Sequence, residues 1–263
     1  DLVFAMQKNL SCNIALFSMD ENNPRITEHC KKGGYAAVFE NGYITIMKGT
    51  WKIRVIKVTE VPVTYGGKAL HNIMNCLPAV LSTYFWRNIS IEDIRLALQT
   101  FVPSATQTPG RLNMFQFKHF QFLVDFAHNP AGLELLCDFV SKLEGEPKVG
   151  IISGTGDRRD EDIRELGRIS GKYFDEIIIR QDKNLRGRTA EEIVNLLVEG
   201  INETKPKDIP ITIIYNEKEA IMHAYNNAKP GSLITIMCDV VAEALDLIKA
   251  LKEKEDATEL AMG

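Results

Sequence analysis

The second half of the chain alternates short apolar runs with amphipathic stretches of about ten to fifteen residues. Such alternation predicts βαβ units and a mostly parallel sheet with helices on both faces. The apolar runs predict strands over residues 112–117, 120–124, 148–153, 176–180, 211–215 and 232–237. The amphipathic stretches predict helices over residues 131–143, 160–173, 189–202, 218–227 and 241–252. We therefore predict an α/β, Rossmann-like domain here.

The first 65 residues are less regular and contain several short strand-like runs. Residues 35–39 and 43–47 alternate around Asn41-Gly42, which is the strongest short signal for a β-hairpin. Further strands are predicted over residues 14–17 and 53–58. The pattern predicts no helix between these strands, so we expect this region to be the edge of a larger sheet.

Two helices are predicted before the middle of the chain. The first covers residues 69–86 and contains Pro78, which predicts a kink or a break. The second begins at Ser90-Ile-Glu-Asp93, a sequence typical of a capping box, and ends near Thr100.

The composition changes at residues 102–110, Val-Pro-Ser-Ala-Thr-Gln-Thr-Pro-Gly, where we place a domain boundary. Formal charge also differs across it, at +3 for residues 1–108 and −7 for residues 109–263. We predict one domain over residues 1–108, a second over residues 109–254, and a frayed tail over residues 255–263.

Overall composition excludes several classes of protein. The 45% hydrophobic and 25% charged residues are ordinary for a globular chain of 263 residues. The net charge of −4 argues against a nucleic-acid partner. No signal peptide and no apolar run long enough to span a bilayer is found, so no membrane partner is expected. The chain begins at Asp1 rather than Met, which indicates a fragment.

The cysteines indicate the redox environment. There are five, an odd number, and none has CxxC spacing. This pattern supports neither a disulfide framework nor a zinc site, and it favours a cytoplasmic protein. The five positions are Cys12, Cys30, Cys76, Cys137 and Cys238.

A polar trio lies between a predicted strand and a predicted helix. Asp125, His128 and Asn129 follow the strand, and Pro130 suits the first position of the helix. The carboxyl ends of parallel strands and the N-termini of helices are where open α/β sheets bind anionic ligands. We therefore predict that these side chains contact a ligand.

Two loops with paired arginines would lie at the same sheet edge. Gly154-Thr-Gly-Asp-Arg-Arg159 lacks the third glycine of a dinucleotide-binding turn, and its arginines suit a carboxylate or phosphate. Asp182-Lys-Asn-Leu-Arg-Gly-Arg188 could hold a carboxylate through both arginines. The alternatives are an ordinary turn with solvated arginines and a basic surface loop, respectively.

Polar residues also mark the start of the 69–86 helix. Asn72 and Asn75 lie on one helix face and could pair with an adenine edge, although local hydrogen bonding at a helix start is the more common explanation. Neither a complete P-loop nor a G-x-S-x-G motif is found, which argues against a self-contained P-loop enzyme and against a serine hydrolase.

Three motifs resemble the Mur-type ATP-dependent amide ligases in order and spacing. They are Leu70-His-Asn-Ile-Met-Asn-Cys-Leu-Pro-Ala79, Thr108-Pro-Gly-Arg-Leu112 and Val124-Asp-Phe-Ala-His-Asn-Pro130. Three more narrow the resemblance to the C-terminal, Mur-ligase-like part of cyanophycin synthetases. They are Phe17-Ser-Met-Asp-Glu-Asn-Asn-Pro24, Gly154-Thr-Gly-Asp-Arg-Arg-Asp-Glu-Asp162 and Leu185-Arg-Gly-Arg188.

The resemblance implies a ligase that joins arginine to the side-chain carboxylate of poly-aspartate through an acyl phosphate. It implies ATP and Mg²⁺, both bound mainly by a region preceding Asp1, and a homo-oligomer. Residues 1–108 would be the end of the ATP-binding central domain, and residues 109–254 the C-terminal domain. Closure about residues 102–110 would exclude water from the acyl phosphate. The fragment alone is expected to be inactive.

The resemblance also implies roles for individual residues. Residues expected to contact ATP are Asn72, Asn75, Arg111, Asp125, His128 and Asn129. Residues expected to face the incoming amino acid are Asp157, Arg158, Arg159, Asp182, Arg186 and Arg188. Without the region that would bind most of the nucleotide, Asp125, His128 and Asn129 are expected to be exposed. The sequence departs from the wider family at Phe126, where Tyr is common.

Two alternatives remain open. The chain could belong to another Mur-type ligase, of the peptidoglycan or the folylpolyglutamate type. It could instead be a non-catalytic module that binds a nucleotide or an amino acid.

Overall fold

A computed structural model describes residues 2–204 and 208–262 of the chain. The chain divides into two compact units, residues 1–102 and 103–263. The division falls beside the Pro- and Gly-containing segment in which the composition changes.

The first unit contains a four-stranded sheet. Its strands, in spatial order, are β1 (Ala15–Ser18), β2 (Tyr35–Glu40), β3 (Tyr43–Lys48) and β4 (Trp51–Lys57). The predicted hairpin is confirmed, because β2 and β3 pair antiparallel around Asn41 and Gly42. These two residues have φ angles of 50° and 81°, as the favoured two-residue turn requires.

A helix between β1 and β2 corrects the prediction for this region. After a short helix α1 (Leu2–Ala5), helix α2 (Pro24–Lys31) connects β1 to β2, which pair in parallel. A parallel pair requires such a crossover. The signal was present in the sequence, since Asn23 caps α2 by accepting a hydrogen bond from the Arg25 backbone N at 3.0 Å, and Pro24 takes the first helical position.

The other two helices of this unit cover the opposite face of the sheet. Helix α3 (Leu70–Tyr84) continues through Pro78, so the predicted break does not occur. Helix α4 (Ile91–Thr100) begins with the predicted capping box, in which Ser90 and Asp93 bind each other's backbone N–H groups. Their buried side chains include Ile73, Leu77 and Ile94, which pack on Ile44 and Ile46.

The second unit contains a six-stranded, mostly parallel sheet, as predicted. The strands are β5 (Asn113–Gln116), β6 (Gln121–Asp125), β7 (Lys148–Ile152), β8 (Glu176–Ile179), β9 (Ile211–Ile213) and β10 (Leu233–Met237). The spatial order is β5-β6-β10-β7-β8-β9. Strand β5 runs antiparallel to β6, and the other neighbouring strands pair in parallel.

Helices cover both faces of this sheet. They are α5 (Pro130–Ser141), α6 (Asp160–Tyr173), α7 (Ala190–Thr204), α8 (Glu217–Asn226) and α9 (Val241–Met262). Helices α8 and α9 pack on Phe122, Val124 and Ile236 of one face. The neighbouring residues Leu123 and Ile177 are equally buried, and because strand residues alternate in direction they face the other side. Helix α9 continues beyond its predicted end at residue 252, as far as Met262.

The strand order determines where ligands can bind. After β6 the chain continues through β7, β8 and β9 towards one edge of the sheet. It then returns to the middle of the sheet, where β10 lies between β6 and β7. Open α/β sheets bind ligands in the crevice at the carboxyl end of such a reversal. None of the helices in the described residues is both long enough and apolar enough to span a membrane.

Candidate site at the carboxyl edge of the second sheet

Asp125 is the last residue of β6 and is only 8% exposed. Its Oδ2 accepts a hydrogen bond from the Leu112 backbone N at 2.9 Å. Burial raises the pKa of the Asp125 carboxyl, although the Leu112 N–H group and the positive charge of Arg111 oppose this shift. The expectation that Asp125 is exposed was therefore wrong, because the carboxylate serves as an internal acceptor.

The other two members of the polar trio, and the nearby Arg111, lie around the turn between β6 and α5. Asn129 caps the helix, since its Oδ1 accepts a hydrogen bond from the Gly132 N at 2.8 Å. The guanidinium of Arg111 lies 5.7 Å from the centre of the Phe126 ring. His128 is exposed, and its Nδ1 lies 3.0 Å from the Phe126 carbonyl oxygen.

A cavity of about 160 Å³ lies at the carboxyl ends of β6, β7, β8 and β10. The loops after all four strands contribute to its lining, so the structure brings His128 and both arginine loops together. The lining residues are Phe126, Ala127, His128, Ser153, Thr155, Arg158, Arg180, Asp182, Arg186, Met237, Cys238 and Asp239.

The first arginine loop separates its two arginines. Arg158 lines the cavity. Within residues 2–204 and 208–262, its buried Nε has no hydrogen-bond partner and no carboxylate forms an ion pair with it. Arg159 is instead the residue before the first turn of α6, and its side chain is 82% exposed. Its Nε and Nη2 bind both carboxylate oxygens of Asp162, at 3.0 and 2.8 Å. Of this pair, Arg158 is available to a ligand.

The second arginine loop is held against the first. Arg188 donates to the backbone oxygens of Gly156 at 2.9 Å and Arg158 at 2.8 Å. Arg186 lines the cavity and pairs with Asp157, with 2.6 Å between Nη1 and Oδ2. Arg188 therefore connects the two loops, whereas Arg186 reaches the cavity through an exposed ion pair.

Gly156 permits this close contact between the loops. A Cβ atom added at Gly156 would lie 1.9 Å from the Leu185 carbonyl oxygen, far inside van der Waals contact. Only glycine fits where two backbones approach this closely.

Arg180 is a central residue of the site that was not among the predicted site residues. It directly follows β8 and is 2% exposed. Its Nη1 lies 2.5 Å from Asp182 Oδ1, and its Nε lies 3.1 Å from Glu217 Oε2. The guanidinium also donates to the Met237 carbonyl oxygen at the end of β10. An arginine at the end of an otherwise apolar strand, immediately before a polar loop, was the signal available in the sequence.

Arg180 organises a buried polar network. Asp182 Oδ1 also accepts a hydrogen bond from the Ser153 hydroxyl at 2.7 Å, so Asp182 connects the ends of β7 and β8. Glu217 Oε2 accepts a hydrogen bond from the Asp239 backbone N at 2.6 Å. Burial raises the pKa of Glu217, and the charge of Arg180 opposes that shift. The network fixes the positions of the acidic groups around the cavity.

Asn72 and Asn75 line a separate groove within the first unit. This groove has a volume of about 360 Å³, lies between α3 and α4, and is otherwise mostly apolar. Asn72 Nδ2 donates to the Val63 carbonyl oxygen at 2.7 Å. Asn75 is exposed, and no hydrogen bond of its side chain is found among the described residues. The two amides therefore share one groove, but only that of Asn75 is available.

The described residues contain no cluster of three or more potential metal-ligating His, Cys, Asp or Glu side chains.

Residues 110–239 match the family described as "Mur ligase, glutamate ligase domain". The match begins in the turn that contains Arg111 and ends at Asp239 of the cavity. The second unit contains the region that matches this family, which we call the Mur ligase domain after that similarity.

Relatives extend the similarity beyond the Mur ligase domain into the first unit. The chain is 40% identical over 251 residues to a cyanophycin synthetase of Synechocystis sp., which covers 95% of this chain and 28% of that protein. It is also 30% identical over 169 residues to a UDP-N-acetylmuramoyl-L-alanyl-D-glutamate--2,6-diaminopimelate ligase of Caldanaerobacter subterraneus, which covers 64% of this chain and 33% of that protein. The chain thus spans less than a third of the length of the first of these relatives.

Solved structures show the same fold at low sequence identity. Escherichia coli FolC in complex with DHPP and ADP aligns with a TM-score of 0.60 at 15% identity, over 90% of this chain and 53% of that chain. A murein peptide ligase from Psychrobacter arcticus aligns with a TM-score of 0.56 at 17% identity, over 95% of this chain and 49% of that chain. These similarities confirm the α/β fold of the Mur ligase domain.

Proposed function

We propose that this chain is part of an ATP-dependent ligase that joins arginine to the side-chain carboxylate of poly-aspartate. The observation that carries the proposal is the 40% identity to cyanophycin synthetase over 95% of the chain. The cavity at the carboxyl edge supports it, because it offers an available arginine where an amino-acid carboxylate would bind.

In the proposed reaction, the γ-phosphoryl group of ATP is transferred to a poly-aspartate carboxylate, which gives an acyl phosphate and ADP. The α-amine of arginine then attacks the acyl carbon. The new C–N bond forms, the bond to phosphate breaks, and the amine loses a proton as phosphate leaves. The products are an amide, ADP and inorganic phosphate.

The second unit is proposed to bind the incoming amino acid. Arg158 lines the cavity and forms no ion pair with a described carboxylate, so its guanidinium suits the α-carboxylate of that amino acid. Arg186 would also bind this carboxylate once its ion pair with Asp157 is broken. Breaking that pair costs little free energy, because exposed ion pairs contribute little to stability. Asp157, Arg159 and Arg188 would keep the loops in place, and Asp182 would align the cavity wall through Arg180 and Ser153.

The first unit is proposed to contribute to adenine binding through Asn75. An amide offers both a donor and an acceptor, which matches the edge of adenine, and the groove beside Asn75 supplies an apolar surface for the ring. We assign Asn72 to holding the groove, and Arg111, Asp125, His128 and Asn129 to shaping the turn that faces the nucleotide. The phosphates and Mg²⁺ would be held mainly by residues outside this chain, which spans only 28% of the Synechocystis relative.

Product analysis tests the proposal. A protein containing this chain would be incubated with ATP, arginine and a short poly-aspartate primer, and the primer examined by mass spectrometry. We expect stepwise addition of arginine residues and release of one phosphate for each amide. Glutamate or diaminopimelate in place of arginine should give no product. Product formation with either of these, and not with arginine, would contradict the proposal in favour of another Mur-type ligase.

The 263-residue chain alone provides a second comparison. We expect no amide formation and no arginine-dependent ATP hydrolysis from it, because the proposal places most nucleotide-binding groups outside it. Arginine-dependent ATP turnover by the isolated chain would contradict that division of roles.

A further inference from the structure

A second groove adjoins the cavity on the same edge of the Mur ligase domain. It has a volume of about 590 Å³ and extends from the end of β8 towards the start of α8. Asp182 and Asp239 line both the cavity and this groove. We call it the acidic groove and define it by Gln181, Asp182, Glu217, Asp239 and Glu243.

The cavity and the acidic groove carry opposite charge. Three arginines and two carboxylates line the cavity. Four carboxylates and two lysines line the acidic groove. Most of these charges are paired, since Lys183 and Lys218 each contact Glu243. Asp182 and Glu217 both contact Arg180. Among the described residues, no ion pair of Asp239 is found, so this carboxylate keeps its charge for a ligand. A ligand that occupies both depressions would therefore need an anionic group at one end and a cationic group at the other.

Gln181 provides an independent sign of a ligand in the acidic groove. The residue is 8% exposed and lines the groove. Its Nε2 donates to the Ala190 carbonyl oxygen at 3.2 Å, which fixes the orientation of the amide. Its Oε1 is buried, and no donor to it is found in the part of the chain that the structure describes. A buried acceptor without a donor is unfavourable, and a ligand N–H group would relieve it.

The carboxylates of the groove also keep acceptor capacity. Asp182 uses Oδ1 for its bonds to Ser153 and Arg180, and Asp239 uses Oδ2 for its bond to the Lys183 backbone N. Among the described residues, no hydrogen bond to the second oxygen of either carboxylate is found. The groove thus presents acceptors and needs a ligand rich in donors.

We propose that the acidic groove binds the guanidinium of the incoming amino acid while its α-carboxylate lies at Arg158. This inference rests on the proposed function and adds the residues that determine the choice of amino acid. A guanidinium carries five N–H donors and no acceptor, which matches the Gln181 carbonyl and the two aspartates. In this binding mode the groove does not bind the α-amine, which is the group that forms the amide.

Calorimetric titration of the 263-residue chain tests the two ends of the ligand separately. The probes are L-arginine, L-citrulline, which replaces the guanidinium with a neutral urea group, and agmatine, which lacks the α-carboxylate. We expect arginine to bind at least about tenfold more tightly than either of the other two.

Two variants test the residues of the groove. Gln181→Met removes the acceptor at similar length, and Asp239→Asn removes one charge. Each is expected to weaken arginine binding about tenfold. Asp239→Asn should leave the binding of the neutral citrulline unchanged, whereas Gln181→Met should weaken citrulline binding as well, because a urea group also donates N–H hydrogen bonds. Glu219→Gln is the matched control, because it removes a carboxylate from α8 outside the groove and should change neither affinity. Thermal unfolding of every variant verifies that it is folded.

Equal affinities for arginine and citrulline would overturn the proposal, as would an absence of arginine binding. Effects of both groove variants no larger than that of Glu219→Gln would also overturn it. The outcome is separable from that of the proposed function. If a protein containing this chain forms the arginine amide and these variants do not affect that reaction, the groove alone is rejected. If the variants weaken arginine binding but a protein containing this chain forms no amide, the ligase alone is rejected.

Discussion

Asp125 accepts a hydrogen bond of 2.9 Å from the backbone N of Leu112, a residue in the left-handed conformation with φ of 49°. A left-handed leucine is uncommon because its Cβ crowds the backbone. The buried carboxylate therefore ties the end of β6 to a strained turn before β5. From the sequence, Asp125 is expected to contact a ligand. In the structure, its carboxylate instead supports the backbone of this turn from inside.

Replacing Asp125 separates its hydrogen bond from its charge. Asp125→Asn keeps an oxygen acceptor for the Leu112 N–H group and removes a buried charge, so we expect a free energy of unfolding at neutral pH no lower than that of the original chain. Asp125→Ala removes the acceptor and is expected to lower that free energy by about 1–3 kcal/mol. Urea denaturation of both variants measures the difference, and equal losses would contradict the role assigned to the hydrogen bond.

The same pair predicts a pH dependence. Because the pKa of Asp125 is raised in the folded state, that state releases its proton less readily than the unfolded chain does. The original chain should therefore lose stability relative to Asp125→Asn as the pH rises above the ordinary value of 3.8 and through the raised pKa. Below pH 3.8 the difference in free energy of unfolding between the original chain and Asp125→Asn should be constant. A difference that changes in the opposite direction would contradict the raised pKa.

Gly156 is expected to be essential for the arrangement of the two arginine loops. Gly156→Ala would place a Cβ 1.9 Å from the Leu185 carbonyl oxygen, so the loops must separate and the bonds of Arg188 must break. We expect arginine affinity to fall more than tenfold while the unit stays folded, as measured by titration and thermal unfolding.

Gly187→Ala is the control for this change. Gly187 has φ of +91°, and the position that a Cβ would take there has no neighbouring atom within 4 Å. Alanine at this position therefore adds backbone strain of about 1–2 kcal/mol without a collision. Its arginine affinity should fall less than that of Gly156→Ala. Equal losses in the two variants would show that backbone freedom, and not the loop contact, is what binding requires.

The two asparagines of the first unit are expected to differ. Asn72→Ala removes the bond to the Val63 carbonyl oxygen and should lower the free energy of unfolding by about 1 kcal/mol. Asn75→Ala should leave stability unchanged and weaken the binding of adenine nucleotides to a protein that contains this chain. Chemical denaturation and nucleotide titration measure the two effects, and a nucleotide affinity unaffected by Asn75→Ala would remove Asn75 from the proposed site.

The fold was largely predictable because its signals are local. The alternation of apolar and amphipathic stretches located every strand of the second unit, and the Ser90 capping box located the start of α4. Helix α2 was missed because its eight residues carry a short apolar stripe within a polar segment. Its parallel crossover depends on the pairing of β1 with β2, which is a tertiary property.

The candidate site was predictable by position more than by the role of each residue. That strand ends gather at one edge follows from a parallel sheet, so His128 and the arginine loops could be expected together. Which arginine is available could not, because Arg158 and Arg159 are adjacent in sequence and differ only in the partners that folding provides. Arg180 was missed because its three partners come from separate elements.

The neighbouring residues Arg158 and Arg159 allow the most direct test of the central claim, that the cavity holds the carboxylate of the incoming amino acid. The measurement is the rate of arginine-amide formation, at several arginine concentrations, by a protein containing this chain. We predict that Arg158→Ala raises the KM for arginine more than tenfold. Arg159→Ala, which removes only an exposed ion pair with Asp162, should leave it within about twofold. Equal effects of the two substitutions, or a larger effect of Arg159→Ala, would contradict the account.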